Sequence, residues 1–111
     1  VDSMRERHKR SIAEQAKIFK ALGHPSRLLM VDALRDGEKC VCELRELVGD
    51  DMSTISRHLA VLREAGVVTS EKRGTSIYYR LRLGCLDQFL HCTAAAVQQK
   101  AREQLKAVQS R

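Results

Sequence analysis

A mainly helical domain carrying a single β-hairpin is the fold class predicted by this 111-residue chain. Three observations predict it. Apolar residues recur at helical spacing in four segments before Gly66 and again in one long segment from Leu86 onward. Between residues 67 and 81 the period changes to alternation around Arg73-Gly74-Thr75, a turn with the glycine that a hairpin favours. Gly23, Pro25, Gly37, Gly49 and Gly66 fall where helices must stop or start. The third and fourth helices are joined by a turn of about three residues and followed by the hairpin, which is the order of a winged helix-turn-helix.

Each element has its own reason. In residues 11–22, Ile12, Ala16, Phe19, Ile18 and Leu22 repeat helically, and Gly23 ends the run. Pro25 opens a second helix at the position where its missing N–H is not needed. That helix, Pro25 to Asp36, carries Leu28, Leu29, Val31, Ala33 and Leu34 around much of its circumference, so it is expected to be the central, most buried one. Cys42 to Val48 forms two turns with Leu44, Leu47 and Val48 inward, closed by Gly49. Asp51 is placed to cap the next helix through the free N–H groups of its first turn. Residues 42–66 thus make the helix-turn-helix, and 67–81 the wing. Ile77, Tyr79 and Leu81 share one face, by which the hairpin leans on the helices. From Leu86 to Val108 the residues Phe89, Leu90, Val97, Leu105 and Val108 mark a last helix longer than so small a core can cover. The first helix (11–22) and the last (86–108) are therefore expected to meet a second copy of the chain, giving one domain, 1–111, that works as a homodimer. Val1-Asp2-Ser3, ahead of Met4, is read as an expression remnant and left out.

The helix after Asp51 is the most informative stretch. With Ile55 at 0° and 100° per residue, Leu59 and Leu62 fall within a few tens of degrees of it. Ser53, Arg57 and Ala60 land opposite, with Thr54 and Ser56 on the flanks. Slim side chains permit close approach to a major groove, and Arg57 can donate to guanine or phosphate. The plain alternative is an amphipathic helix with a solvated face. His58 lies about 60° from Ile55, where it either touches DNA or fills the shoulder of the helix. The hairpin tip presents Lys72 and Arg73, suited to phosphate or minor-groove contact.

Composition bounds the partner. Twenty Lys and Arg against fourteen Asp and Glu give a net charge of +6 and a pI near 9.5, a balance that fits double-stranded DNA. No segment is long enough to span a bilayer, no signal-peptide pattern is present, and the expected location is cytoplasmic, with no membrane partner. In a reducing compartment the four cysteines are expected to be thiols or metal ligands rather than disulfides. An enzyme is disfavoured: a Cys-His hydrolase needs an oriented dyad and an oxyanion pocket, and helix-turn-helix plus wing leave little room for a cleft.

Ala21-Leu22-Gly23-His24-Pro25-Ser26-Arg27-Leu28, Cys40-Val41-Cys42-Glu43-Leu44, Ser56-Arg57-His58-Leu59-Ala60-Val61-Leu62-Arg63-Glu64-Ala65-Gly66 and Tyr78-Tyr79-Arg80-Leu81 together resemble the ArsR/SmtB family. The match runs from about Phe19 to Leu81 and is most specific through the recognition helix. The resemblance implies a homodimeric winged-helix repressor that leaves its operator when a metal ion or another thiol-reactive signal binds. Cys40-Val41-Cys42 is similar to the thiolate pair that arsenic- and cadmium/lead-responsive members carry ahead of the recognition helix. In extended chain, residues i and i+2 project to one side, so both sulfurs could face one ion. Cys42 would also cap its helix, where the dipole favours a thiolate. The alternative is that Cys40 and Cys42 are small half-buried residues.

Two departures from the family pattern narrow the ligand set. The third cysteine expected three residues after the pair is Arg45 here, and residues 1–20 contain no cysteine. A third thiolate must come from Cys92 or Cys85, with Cys92 preferred because it lies within a helix. Seven helical residues separate those two by roughly 10 Å, too far for both to bind one ion at about 2.3 Å. The expectation is a three-thiolate site suited to arsenite or antimonite, with cadmium, lead or zinc as alternatives and no permanent cofactor. The family's other zinc site is not expected, since Asp87-Gln88-Phe89 lacks its histidine. His8 and His24 are read as having no special role, and His91 as a surface or core residue that could assist a metal. A further alternative is a thiol sensor of oxidants or persulfide.

Overall fold

The computed structural model describes residues 3–110. The order of elements is α1 (Met4–Leu22), α2 (Pro25–Leu34), β1 (Lys39–Cys40), α3 (Val41–Val48), α4 (Met52–Glu64), β2 (Val68–Arg73), β3 (Ser76–Leu81) and α5 (Leu86–Gln109). All five helices and the hairpin of the expected winged helix-turn-helix are present. The strands form one antiparallel sheet in the order β1-β3-β2.

Several boundaries differ from expectation, each for a local reason. Helix α1 starts at Met4 rather than residue 11, because Ser3 caps it by accepting the Glu6 N–H (3.1 Å) and the leader is rich in helix-forming Arg, Glu and Lys. Nothing apolar repeats there, so periodicity did not reveal it. Ser3 therefore belongs to the fold; Val1 and Asp2 lie outside the described residues. Helix α2 ends at Leu34, two residues before Asp36. It buries Met30, Val31 and Leu34 but leaves Leu28 and Leu29 exposed, so it is covered on one side rather than all round. Strand β1 was not expected, since two residues carry no period. It pairs Lys39 with Tyr79 and Cys40 with Tyr78.

The core is a single cluster to which every helix contributes: Leu22 from α1, the α2 trio, Leu44 from α3, Ile55, Leu59 and Leu62 from α4, and Leu86 and Leu90 from α5. Val67, Val68 and Tyr79 bring the wing into it. Of the expected inward hairpin face, Tyr79 is buried and Leu81 packs against the core, while Ile77 is 37% exposed. Ile77 lies two residues nearer the tip, about 6.6 Å along the strand from Tyr79.

Helix α4 is set by its ends as much as by its stripe. The Asp51 carboxylate accepts the Thr54 N–H (2.8 Å) and the Ser53 hydroxyl (2.9 Å). The Thr54 N–H above all, then the Ser53 hydroxyl, hold this carboxylate at a pKa of about 2. Before it, Gly49 ends α3 with a left-handed φ of 86°, which a residue with a Cβ adopts only at a cost.

The molecule extends 59 × 49 × 23 Å with a radius of gyration of 17.6 Å, against about 13 Å for a compact chain of this length. Helix α5, about 36 Å long, buries only Leu86 and Leu90 and leaves Phe89, Val97, Leu105 and Val108 exposed. Its first turn is fastened to α2 by Arg35, which bridges Asp32 and Asp87 at 2.8 Å each.

Two outcomes are expected. Leu59→Ala, at a fully buried site, lowers the unfolding free energy by about 2–5 kcal/mol in urea melts. Since the folded-state pKa of Asp51 is depressed, its stabilising effect is complete above the ordinary value of 3.8 and is lost as pH falls toward 2. Asp51→Asn keeps a capping oxygen but cannot titrate, so thermal melts of the variant lose less stability than wild type between pH 4 and pH 2.

Candidate nucleic-acid interface and cysteine site

Burial of Ile55, Leu59 and Leu62 turns the opposite side of α4 to solvent. Ser53, Ser56 and Arg57 are exposed there, and Thr54 is half-buried on the flank. Arg57 lies along the helix and donates from Nη2 to Thr54 Oγ1 at 3.3 Å, which aligns the guanidinium while leaving further N–H donors for a ligand. The first two turns of α4 therefore offer the Ser53 and Ser56 hydroxyls and the Arg57 cation on a slim ridge. Such a ridge can approach the edges of bases in a major groove.

The wing is tied to this helix. Arg63 of α4 donates to Ser70 Oγ of β2 (3.3 Å), and the Val67 N–H donates to the Leu62 carbonyl (2.9 Å). Gly66 turns the chain between them with φ +82°, and a Cβ there would meet the Arg82 guanidinium at 3.2 Å. Lys72 is exposed at the tip. Arg73 is placed differently from a free phosphate donor. Its guanidinium forks onto both Glu38 oxygens, contacts Glu71 at 2.8 Å and lies 4.8 Å over the Tyr78 ring. The pairing raises the Arg73 pKa and lowers that of Glu38, so Arg73 holds the wing to the loop before β1. Arg63 and Arg80, which the sequence reading passed over, are further exposed cations of this face. Their signal was no more than charge on alternating or helical positions.

His58 resolves toward the helix shoulder. It is half-buried, with its Nδ1 3.2 Å from Arg27 Nη1 and its ring 4.4 Å from that of His24. His24, read as having no special role, caps α2 by accepting the Ser26 N–H at Nδ1 (3.1 Å). Arg27 itself was missed; an arginine inside a basic sequence carries no mark of being structural.

All four cysteines are free thiols. Cys40, not Cys42, occupies the cap position of α3: its backbone is extended (φ −76°, ψ 158°) and its N–H donates to Glu43 Oε1 at 3.1 Å. The helix begins at Val41, so Cys42 is already helical and the extended-chain argument for two sulfurs on one side does not hold. Cys40 is half-buried at the end of β1. Cys42 is exposed in the first turn, on a shallow concavity with Arg45, Glu46, Asp50 and Met52. Cys85 precedes α5 at the rim of an apolar cavity of about 390 Å³ lined by Phe19, Leu22, Leu86 and Phe89, and Cys92 is exposed on α5. Among the described residues no group of three or more His, Cys, Asp and Glu side chains is placed to hold a metal ion. No helix among them is long and apolar enough to cross a membrane.

Residues 24–70 match the family model described as bacterial regulatory protein, arsR family. Over 75 residues the chain is 43% identical to the arsenic resistance transcriptional regulator ArsR1 of Pseudomonas putida, covering 67% of this chain and 59% of that protein. It is 40% identical over 77 residues to the biofilm growth-associated repressor of Xylella fastidiosa, covering 69% and 68%. Among solved structures, the transcriptional repressor BigR from Xylella fastidiosa superposes with a TM-score of 0.71 at 34% identity, over 85% of this chain and 96% of that one. Reduced HlyU from Vibrio cholerae gives 0.70 at 28%, over 78% and 95%. The two solved structures share the arrangement of helices and wing described above, and the regulators among these relatives are named as such rather than as enzymes. On sequence and fold together, the chain belongs to the ArsR family of bacterial regulatory proteins.

Proposed function

We propose that the chain is a cytoplasmic, homodimeric transcriptional repressor that binds double-stranded operator DNA and releases it when a thiophilic ion binds its cysteines. One observation carries the DNA-binding part: α4 is anchored by a fully buried stripe while Ser53, Ser56 and Arg57 face outward from its first two turns. Thr54 and Arg57 supply directed donors, Lys72 supplies phosphate contact from the wing, and Arg73 braces the wing instead of leading it. The uncovered residues of α5 and the extended shape support a second copy packed on α1 and α5. Two recognition helices about 34 Å apart then meet successive major grooves.

The inducer reading rests on where the thiols sit. Cys40 and Cys42 occupy the cap and first turn of α3, and α3 is joined to Asp51, the cap of α4, through Gly49 and Asp50 alone. An ion drawing this pair toward a third sulfur strains the joint that sets the tilt of α4. Ion and operator then oppose each other reciprocally, and a coupling of about 1–3 kcal/mol weakens DNA binding about 5–150-fold. Three thiolates suit arsenite or antimonite; cadmium, lead and zinc are the alternatives. Because no three metal-ligating side chains converge among the described residues of one subunit, Cys92 or Cys85 enters the site by a shift of α5 or from α5 of the second copy. The arsenic-resistance name of the Pseudomonas relative supports arsenite. One observation favours a second reading, thiol oxidation or persulfidation without metal: Cys42, Cys85 and Cys92 are exposed.

Duplex DNA from the region upstream of the coding sequence, in gel-shift titrations, tests both parts. Arg57→Ala is expected to cost about 1–3 kcal/mol of specific affinity, and Lys72→Ala to reduce the salt slope of log K by about 1. An affinity for duplex that does not fall with salt ends the DNA-binding reading. Arsenite is expected to release DNA from wild type and to lose that effect in Cys40→Ser and Cys42→Ser, with the weaker of Cys92→Ser and Cys85→Ser identifying the third ligand. Release by peroxide or polysulfide, reversed by reductant and independent of metal, supports the second reading.

A further inference from the structure

The corner where α4 meets α1 and α2 is built from one guanidinium and two imidazoles. Arg27 donates from Nε to the Ala21 carbonyl (2.6 Å) and from Nη2 to the Lys20 carbonyl (3.4 Å), closing the end of α1. Its Nη1 meets His58 Nδ1 at 3.2 Å, so the same side chain grips the recognition helix. A guanidinium only donates, hence His58 Nδ1 accepts and the ring is neutral, with its proton on Nε2. The Nδ1 of His24 is also an acceptor, taking the Ser26 N–H at 3.1 Å. The two rings lie against each other, with centroids 4.4 Å apart at 46°. Both Nδ1 atoms thus serve as acceptors.

We propose that this corner is a proton-operated latch on the recognition helix: protonation of His58 breaks the hold of Arg27 on α4 and releases the chain from duplex DNA independently of any thiol ligand. The step is a simple one. A solvent proton forms an N–H bond at Nδ1, the Arg27 hydrogen bond to that lone pair breaks, and an imidazolium now faces a guanidinium. The charged and titratable groups around His58 are His24 and Arg27 from the α1–α2 corner, Asp50 from the turn before α4, and Arg57 on α4 itself. Only Asp50 favours the cation. Burial first, then His24 and Arg27, hold His58 below its ordinary value of 6.5. The sign follows: the latch is closed above about pH 6.5 and weakens as pH falls through and below it. Arg27 and His58 are positioning residues here, acting through α4 on the groove.

The inference rests on the proposed DNA-binding function, and the direction of the effect separates it from general electrostatics. Added positive charge on histidine by itself tightens binding to a polyanion; an opening latch loosens it. The full chain is titrated against a labelled duplex selected from a random library at pH 7.5, at constant ionic strength, from pH 7.5 to pH 5.5. Wild-type affinity is expected to fall on the order of fivefold or more. In His58→Asn, whose Oδ1 stands near the place of Nδ1 but takes no proton, most of that fall is expected to vanish. Affinity that rises or stays level toward pH 5.5 in wild type overturns the proposal. In parallel, the DNA-free wild-type chain is titrated by NMR. The α4 amides of Ile55 and Leu59 are expected to shift with the His58 ring on one curve, and amides that stay fixed while that ring titrates overturn the latch. If no duplex is bound at any pH, the DNA-binding reading fails while the NMR titration still decides the latch.

Discussion

Burial of Ile55, Leu59 and Leu62 in the common core fixes the rotation of α4 about its own axis, and the rest of the site inherits that rotation. Three side chains at near-zero exposure on a 13-residue helix leave it no alternative face to bury. Ser53, Ser56 and Arg57 point outward because these three point inward. The Asp51 cap fixes the start of the helix, and the Gly66 turn fixes where the wing departs. The outward surface of α4, proposed above to read a groove, is thus a by-product of core packing, and its precision is that of the core.

Around this anchor the chain distributes its cations unequally. Arg73 is held by Glu38 and Glu71, Arg35 by Asp32 and Asp87, and Arg27 by backbone carbonyls and His58. Each ties one element to another: wing to β1 loop, α2 to α5, and α1 to α4. Exposed ion pairs of this kind contribute little stability individually, but they set orientations. Arg57 and Lys72 stay outward. The count of twenty Lys and Arg therefore overstates how many cations are on offer to a polyanion, since some of them are committed to holding the fold.

The joints between α3 and α4, and between the α1–α2 corner and α4, are where the two proposed chemical events would act on α4. The first lies beside Cys40 and Cys42 and the second contains His24, Arg27 and His58. They approach α4 from different neighbours: one through its N-terminal turn, the other through a residue in its middle. Signals proposed at the two joints need share no ligand, and both would bias the same helix.

Local periodicity determined a good deal by itself. The stripe of α4, the alternation of the hairpin, the stops at Gly23, Gly49 and Gly66, and the apolar excess of α5 all follow from side-chain spacing and backbone freedom, which are properties of short segments. The fold class and the outward residues of α4 could therefore be read directly. What segments cannot contain is the partner of each polar group. That Cys40 rather than Cys42 caps α3 depends on Lys39 and Cys40 pairing with Tyr79 and Tyr78, some forty residues away. That Arg73 braces the wing depends on Glu38 meeting it from another loop, and that His58 is an acceptor depends on Arg27. Hydrogen bonds between distant residues exist only once the core has brought their elements together, so the tertiary structure alone decided which charged and polar side chains hold the molecule and which remain for a ligand.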